Sequence, residues 1–228
     1  MRQVPLALAP EPLASFASFL PGLNAGALTH LRAALPPAAP IYLWGATGTG
    51  KTHLLRALAS ACQETGLRAG WFGAGDALPW AFDPGWSLLV LEDVQRFDAA
   101  RQQAAFALLV EAQAHALAWA ASGDVPPVDL PLRDDLRSRI GWGHVFALEP
   151  LGEAETRAVL RREADRRGIF LSDEVMGYLL IRFERDPKFL MQLLDRLDGF
   201  ALANARAVTV PLLKLMLAEE GLAPEAGP

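Results

Sequence analysis

Cysteine is almost absent from this sequence, and long apolar runs and signal-like segments are missing. Cys62 is the single cysteine among 228 residues, so no disulfide framework can form, and its place in a helical pattern predicts a buried side chain. No apolar stretch reaches about 18 residues, the length of a membrane-spanning helix, and the N-terminus lacks the charged-then-apolar layout of a signal peptide. We therefore expect a cytoplasmic protein with no membrane partner.

Positive charge is also in the minority. The chain has 21 Lys and Arg against 26 Asp and Glu, which gives a formal net charge of −5. Domains whose main task is to wrap duplex DNA usually show a basic footprint, so this class is disfavoured, although a local basic patch stays open. Hydrophobic residues make up 52% of the chain and charged residues 21%, which is typical of a globular protein.

Strands alternate with helices in the first two thirds of the chain. Buried strands that alternate with helices indicate an α/β fold with a parallel sheet covered on both faces. The predicted strands are 41–44, 69–72, 87–91, 117–121 and 145–148, and the predicted helices are 51–65, about 99–114 and about 131–139.

Beyond Pro150 only helical patterns follow. They cover 153–167, 172–183, 187–204 and 211–220, with Ser172 as an N-cap. We therefore predict an α/β domain followed by a small all-helical domain. The predicted divisions are a tail 1–12, the α/β domain 13–150, the helical domain 151–222 and a tail 223–228.

Between the first strand and the first predicted helix, GATGTGKT matches the pattern G-x-x-x-x-G-K-[ST]. Its glycines let backbone N–H groups converge on phosphate oxygens, and the following helix adds its positive dipole end. Lys51 reaches the terminal phosphates and the Thr52 hydroxyl completes a Mg²⁺ site, which predicts ADP or ATP with Mg²⁺ as ligands. The predicted phosphate cradle consists of Gly45, Ala46, Thr47, Gly48, Thr49, Gly50, Lys51 and Thr52.

Glu92 and Asp93 end the apolar strand 87–91. A phosphate cradle needs a carboxylate on a neighbouring strand for its metal, and Glu92 fits that role. Such pairs usually run Asp then Glu, and the second acid polarises the attacking water. Here the order is reversed and Asp93 is the shorter group, so hydrolysis by this chain itself stays open.

Two polar segments allow a structural and a functional interpretation. The strand 117–121 runs into Ser122–Pro127, where a polar group would point at the γ-phosphate but where Gly-Asp and Pro-Pro also suit a simple turn. Arg133, Arg137 and Arg139 either face solvent or supply an arginine that stabilises phosphoryl transfer, often in a neighbouring molecule.

The first helix of the helical domain is basic. A solvated charged face is the default interpretation, and a patch for DNA or an acidic partner is the alternative. The arginines concerned are Arg157, Arg161, Arg162, Arg166 and Arg167.

The order of these features resembles the AAA+ ATPases, specifically the central domain of the replication initiator DnaA and, still more, the DnaA-related Hda family of regulatory inactivators. The resemblance covers nearly the whole chain. Besides the cradle, it rests on the segments FASFLPGLN (16–24), SGDVPP (122–127), LRSRIGWG (136–143) and LMQLLDRLD (190–198).

The resemblance implies roles for individual residues. Asp124 falls at the sensor 1 position, and Arg139 falls at the arginine finger, which is offered to a nucleotide on the adjacent subunit. Lys188 stands at the sensor 2 position of the lid, where an arginine is usual, so the charge is kept but a bidentate fork is lost. The implied catalytic residues are Arg139, Asp93 and Asp124, the implied metal residues are Thr52 and Glu92, and the implied nucleotide-binding residues also include Phe16, Asn24 and His53.

The resemblance gives a meaning to the N-terminal tail. Gln3, Leu6 and Leu8 fit the Q-x-x-L-x-L pattern with which the inactivators dock on the DNA polymerase sliding clamp. An extended tail places the glutamine in a small polar pocket and the leucines in an apolar one. The initiator continues into a DNA-reading helix-turn-helix domain, whereas this chain ends at Pro228, soon after the lid.

A negative regulator of replication initiation is therefore the implied function. Bound ADP holds the chain in a competent shape, the tail tethers it to the clamp, and Arg139 promotes ATP hydrolysis on an adjacent DnaA molecule. On this hypothesis the chain has weak or no ATPase activity of its own. Two alternatives stay open: a self-acting AAA+ ATPase, such as a helicase loader that works as a homo-oligomer, and a nucleotide-gated adaptor without catalysis.

Overall fold

The computed structural model describes residues 14–33, 35–183, 187–204 and 206–219, and at 187 and 188 it describes the backbone alone. Gln3, Leu6 and Leu8, both predicted tails and the side chain of Lys188 therefore lie outside the described residues. The chain divides into two compact units, with the division between Pro150 and Leu151.

A five-stranded parallel sheet forms the first unit. Its order is β2-β3-β4-β1-β5, so β4 lies between β1 and β3. This arrangement confirms the predicted α/β class with a parallel sheet. The elements are α1 (Ala25–Ala33), β1 (Ile41–Trp44), α2 (Lys51–Glu64), β2 (Ala69–Gly73), β3 (Leu88–Glu92), α3 (Ala99–Ala114), β4 (Ala118–Gly123), α4 (Asp134–Ile140) and β5 (His144–Ala147).

Helices pack on both faces of the sheet because successive side chains of a strand point to opposite sides. On β1, Ile41 and Leu43 join a core with residues of α1 and α2, whereas Tyr42 joins a second core with residues of α3 and α4. The residues of β3 divide in the same way, and Leu88–Leu91 are fully buried. Burial on both faces explains the continuous apolar run in the sequence.

The carboxyl ends of β1, β4 and β3 meet at one edge of the sheet. Trp44 pairs with Gly123 and Leu91 with Ala121, so residues that follow these strands emerge side by side. β4 continues through Gly123, two residues beyond the predicted end at 121, because its last residues pair with the end of β1. The central place of β4 is the one that the functional interpretation of Ser122–Pro127 requires.

Two helices differ from the sequence-based expectation. α1 received no prediction because its sequence, AGALTHLRA, is short and buries only Ala27 and Leu31. α4 begins at Asp134 rather than near residue 131, since Arg133 has extended backbone at the N-cap and prolines precede it.

The second unit is helical. Ser172 caps its second helix as predicted, with its Oγ accepting a hydrogen bond from the Val175 N–H at 3.3 Å. Leu and Met rows from all its helices form one core. In the described part of the chain, no helix combines the length and the apolar character needed to cross a membrane. The helices are α5 (Glu153–Arg166), α6 (Asp173–Arg182), α7 (Pro187–Asn204) and α8 (Val210–Glu219).

Candidate functional site

The loop between β1 and α2 depends on glycine at defined positions. Gly45, Gly48 and Gly50 have φ values of 151°, 84° and 95°, a region that side chains with a Cβ rarely adopt. A Cβ on Gly45 would lie 2.4 Å from the Leu148 carbonyl oxygen, and one on Gly50 would lie 2.6 Å from the ring of Phe19. A side chain at Gly45 or Gly50 would therefore collide with the neighbouring residues in this loop conformation.

Lys51 is buried beneath this loop, where its Nζ donates to the carbonyl oxygens of Gly45 at 2.7 Å and Ala46 at 2.8 Å. Burial lowers the pKa of this ammonium, and the nearby Asp93 and Asp124 carboxylates oppose that effect. The structure thus brings the predicted lysine within the electrostatic reach of both predicted acids. A flexible ammonium on weak carbonyl partners can turn towards a phosphate.

Thr52 and Glu92 meet directly. The Thr52 hydroxyl donates to Glu92 Oε1 at 2.5 Å, and the Trp71 indole N–H donates to Glu92 Oε2 at 3.1 Å. The contact joins the first turn of α2 to the end of β3, as the two predicted metal residues require. Trp71 was missed by the sequence analysis, because no motif marks a tryptophan on β2.

The oxygen donors at this point suit Mg²⁺ better than a metal with an all-protein cage. Among the described residues, no group of three or more His, Cys, Asp or Glu side chains could hold a metal ion. Mg²⁺ usually binds through one or two carboxylates together with phosphate oxygens and waters. The Thr52 hydroxyl and one carboxylate oxygen of Glu92, at the end of the loop 45–52, fit that coordination.

Asp93 takes a left-handed backbone conformation, with φ 52° and ψ 51°. Its N–H donates to the Ser122 Oγ at 3.0 Å, and Ser122 is fully buried at the end of β4. This contact fixes the chain reversal after β3 against the neighbouring strand. Ser122 belongs to the polar segment Ser122–Pro127, but it was not predicted as a site residue.

Asp124 is exposed directly after β4. The turn it begins is anchored from below, since the buried Tyr42 hydroxyl donates to the Val125 carbonyl oxygen at 2.7 Å. Burial first, and then the Asp124 and Asp93 charges, raise the pKa of Tyr42 far above its usual range, so this phenol stays a neutral donor. A Cβ on Gly123 would lie 2.0 Å from the same hydroxyl.

A cleft of about 480 Å³ opens beside the carboxylates at the ends of β2 and β3. It is continuous with the site, because Glu92 and Asp93 form part of its wall. The other lining residues are Trp71, Gly73, Ala74, Gly75, Asp76 and Arg96.

The segment before α1 packs against α2. His53 Nε2 lies 3.0 Å from the Ser15 carbonyl oxygen and 3.1 Å from the Ser18 Oγ, and its ring contacts Phe19. Phe16 lies in the same turn, partly buried against the core beneath α2. Phe19, which was not predicted as a site residue, is therefore the aromatic residue that lies against His53 and the loop at Gly50.

Asn24 occupies a different place. It is buried, and its side-chain amide donates to the Glu149 carbonyl oxygen at 2.9 Å and accepts from the Glu149 N–H at 2.8 Å. Both polar atoms of the amide are therefore engaged with the backbone. The observed contact fastens the N-terminal segment to the chain that follows β5.

The three arginines of α4 and its N-cap have different partners. Arg133 pairs with Asp135 and Arg137 with Asp134, each at 2.6 Å. Arg139 instead donates to the Gln113 side chain and lies 5.1 Å from the centre of the Phe106 ring. Among the described residues no carboxylate lies within ion-pair distance of Arg139, which is partly exposed.

Carboxylates neutralise much of the basic helix α5. Arg161 pairs with Asp173 at 2.6 Å, and Arg166 and Arg167 both pair with Glu163. The contacts with Arg166 and Arg167 lower the pKa of Glu163, and the Arg166 hydrogen bond is the largest cause. DNA contact by this helix stays a prediction.

Residues 153–217 match the family model described as the lid domain of Hda. The match covers α5 to α7 and most of α8.

The whole structure is similar to several solved structures. Domain III of the replication initiation protein DnaA from Thermotoga maritima aligns with a TM-score of 0.75 and 21% identity, over 92% of this chain and 98% of that chain. AMPPCP-bound DnaA from Aquifex aeolicus aligns with 0.68 and 22%, over 82% of this chain and 66% of that chain. The RuvB Holliday junction branch migration motor of Thermotoga maritima aligns with 0.63 and 16%, over 86% and 68%.

At these identities the structural likeness shows the fold alone, which this chain shares with domain III of DnaA and with the RuvB motor. The fold class predicted from the sequence is confirmed. The lid match and the shared fold together confirm the resemblance to DnaA-related AAA+ proteins that the motifs indicate.

Proposed function

We propose that this chain, a DnaA-related, Hda-like AAA+ protein, is a nucleotide-bound negative regulator of DNA replication initiation that stimulates ATP hydrolysis on DnaA. The observation that carries the proposal is the set of contacts made by the Arg139 side chain. Arg133 and Arg137 each have an aspartate at 2.6 Å, whereas Arg139 contacts the Gln113 amide and the Phe106 ring and has no carboxylate within ion-pair distance among the described residues. Its positive charge therefore remains available to a phosphate on another molecule.

The first part of the proposal is that the loop 45–52 holds ADP or ATP. The left-handed glycines, the buried Lys51 and the Thr52–Glu92 contact support it. Thr52 and Glu92 would hold Mg²⁺, which neutralises phosphate charge when bound. A structurally similar DnaA from Aquifex aeolicus binds the nucleotide analogue AMPPCP, which also supports a nucleotide here.

The second part is that Arg139 acts in trans. A guanidinium that stabilises phosphoryl transfer in a neighbouring molecule is worth about 10³- to 10⁵-fold in rate. The Gln113 and Phe106 contacts restrict the side chain without cancelling its charge. Such a platform orients an arginine for a phosphate at low cost in side-chain entropy.

The third part concerns the other partner. Gln3, Leu6 and Leu8 form the Q-x-x-L-x-L pattern at the N-terminus. We assign these residues to the DNA polymerase sliding clamp, which tethers the chain to replicated DNA in the cytoplasm. We also propose that Lys188, at the position implied for sensor 2, contributes a single positive charge to nucleotide binding.

Single-turnover hydrolysis of radiolabelled ATP prebound to DnaA tests the proposal. The reaction contains clamp-loaded DNA, ADP and either the wild-type chain, Arg139→Ala or Arg137→Ala. We expect the wild type and Arg137→Ala to accelerate hydrolysis, because Arg137 is already paired with Asp134. Arg139→Ala loses the acceleration, about 10³-fold or down to the rate of DnaA alone.

Each other outcome has a definite meaning. Full stimulation by Arg139→Ala contradicts the arginine in trans and supports the adaptor hypothesis. No stimulation by the wild type, despite confirmed clamp binding, contradicts the regulator hypothesis as a whole.

A self-acting ATPase is the alternative with an observation in its favour. Asp93 and Asp124 both lie near enough to Lys51 to oppose the lowering of its pKa by burial, so two carboxylates lie close to the loop 45–52. Steady-state ATP turnover by the isolated chain that is abolished by Asp93→Asn would support this alternative. Asparagine tolerates the left-handed backbone at that position, so the variant removes the carboxylate without added strain.

A further inference from the structure

We infer that Trp71 is a positioning residue for the metal-holding carboxylate, and that its indole N–H fixes Glu92 in the orientation in which this side chain meets Thr52 and Mg²⁺. The inference rests on the proposed nucleotide site. It adds a residue from an edge strand of the sheet, β2, to a site built from β1, β3 and α2.

The sheet register places these side chains on one face. Trp71 pairs with Val90, and Gly73 pairs with Glu92, so Trp71, Val90 and Glu92 point to the same side of the sheet. That side is the one covered by α2, whose first turn carries Thr52. Gly73 has no side chain beside Glu92, which leaves the indole free access to the carboxylate.

Glu92 consequently has one donor on each oxygen: Thr52 at 2.5 Å on Oε1 and Trp71 at 3.1 Å on Oε2. A carboxylate offers about four lone-pair sites, so two donors still leave sites for a metal. The indole N–H is a neutral donor and cannot accept a bond or lose its proton. It orients the carboxylate and leaves the negative charge that attracts a cation. A lysine or arginine in its place would cancel that charge.

The inference also accounts for a glutamate at the position where aspartate is usual. From the end of β3 this side chain spans the gap between Thr52 on α2 and Trp71 on β2. An aspartate, shorter by a methylene, could not keep both contacts. The longer acid and the tryptophan therefore form one arrangement.

The test is the Mg²⁺ dependence of nucleotide binding by the full chain. A fluorescent ADP analogue is titrated in EDTA and at increasing Mg²⁺, with the wild type, Trp71→Phe and Trp80→Phe. We expect Trp71→Phe to raise the Mg²⁺ concentration needed for half of the Mg²⁺-induced gain in nucleotide affinity, on the order of tenfold. The affinity measured in EDTA should stay within about twofold of the wild-type value. Trp80→Phe is the matched control, because its indole N–H is buried without a hydrogen-bond partner in the described chain.

A second variant, Glu92→Asp, is expected to raise the Mg²⁺ requirement in a similar way. Adding Trp71→Phe to Glu92→Asp should then cost less than the product of the two single effects, because both act through one carboxylate.

Several results would overturn the inference. One is an unchanged Mg²⁺ requirement in Trp71→Phe; another is an equal loss of affinity with and without Mg²⁺, which means that the ring only supports the loop. If Trp71→Phe does not fold, an unchanged Mg²⁺ requirement in Glu92→Asp decides against the inference. A wild type that binds no nucleotide overturns the proposed site itself, whereas Mg²⁺-dependent binding that is indifferent to Trp71→Phe overturns the inference alone.

Discussion

At the scale of single residues, the candidate site depends on side chains that form hydrogen bonds to the backbone of neighbouring segments. The Ser122 hydroxyl accepts a hydrogen bond from the Asp93 N–H, and the Tyr42 hydroxyl donates one to the Val125 carbonyl oxygen. Neither residue touches the phosphate loop by a hydrogen bond, yet each fixes a segment that carries a predicted catalytic acid. The position of Asp93 and Asp124 thus depends on buried hydroxyl groups of β1 and β4.

Ser122→Ala tests this support. The substitution leaves the Asp93 N–H without its partner, and losing a partner for a buried donor costs about 1–3 kcal/mol of unfolding free energy. Chemical denaturation followed by circular dichroism measures the loss. The matched control is Ser138→Ala, an exposed serine of α4 for which we expect a change of less than about 0.5 kcal/mol. Equal effects of the two variants would contradict the support by Ser122.

At the scale of elements, the loop between β1 and α2 is shaped by the strands on either side of β1. The Gly45 N–H donates to the Gly123 carbonyl oxygen at 3.3 Å, and the Leu148 N–H donates to the Trp44 carbonyl oxygen at 2.7 Å. The loop therefore begins in a fixed backbone environment between β4 and β5. A side chain at Gly45 has no room there.

Gly45→Ala should disturb this arrangement. Its φ of 151° and the 2.4 Å approach to the Leu148 carbonyl predict about 1–3 kcal/mol of strain. ADP at a hundred times its Kd stabilises a protein by about 2.7 kcal/mol, which raises its melting temperature. We expect Gly45→Ala to lose most of this ADP-induced rise in melting temperature, measured by thermal unfolding with and without ADP.

The control for this variant is Gly199→Ala in the interior of α7. An added Cβ at Gly199 meets nothing within 4 Å, so this variant should gain about 0.5–1 kcal/mol and keep the full ADP shift. A normal ADP shift in Gly45→Ala would contradict the proposed role of the loop.

At the scale of the whole molecule, the proposed function separates tethering from chemistry. The tail residues Gln3, Leu6 and Leu8 lie at the N-terminus, whereas the loop 45–52, the proposed nucleotide site, and Arg139 belong to the α/β unit. Binding of the clamp and binding of nucleotide should therefore respond to different substitutions.

The variant with Gln3, Leu6 and Leu8 all changed to Ala tests that separation. We expect its affinity for immobilised sliding clamp to fall at least about tenfold, because the anchors of an extended peptide carry most of its binding energy. Its thermal shift with ADP should equal that of the wild type. Val4→Ala is the control within the same tail. Undiminished clamp binding by the triple variant would remove the clamp from the proposed partners.

The amino-acid sequence alone determined the class of the fold, and it predicts a phosphate cradle at residues 45–52. Continuous apolar runs such as Leu88–Leu91 indicate strands buried on both faces, and a G-x-x-x-x-G-K-T segment between strand and helix has few other uses. Both signals are local, so they can be seen without knowing what lies beside them. The α1 helix was not predicted because its own local signal is weak.

Only the tertiary structure decided which side chains act on which. Trp71 and Glu92 are 21 positions apart, and Asn24 and Glu149 are 125 positions apart, yet each pair is joined by a hydrogen bond. Sheet register and strand order create these contacts, and no spacing along the chain encodes them. The contact of Arg139 with Gln113 is of the same kind, because it forms where α4 packs against α3, whereas Asp134 and Asp135, the partners of Arg137 and Arg133, are close in sequence.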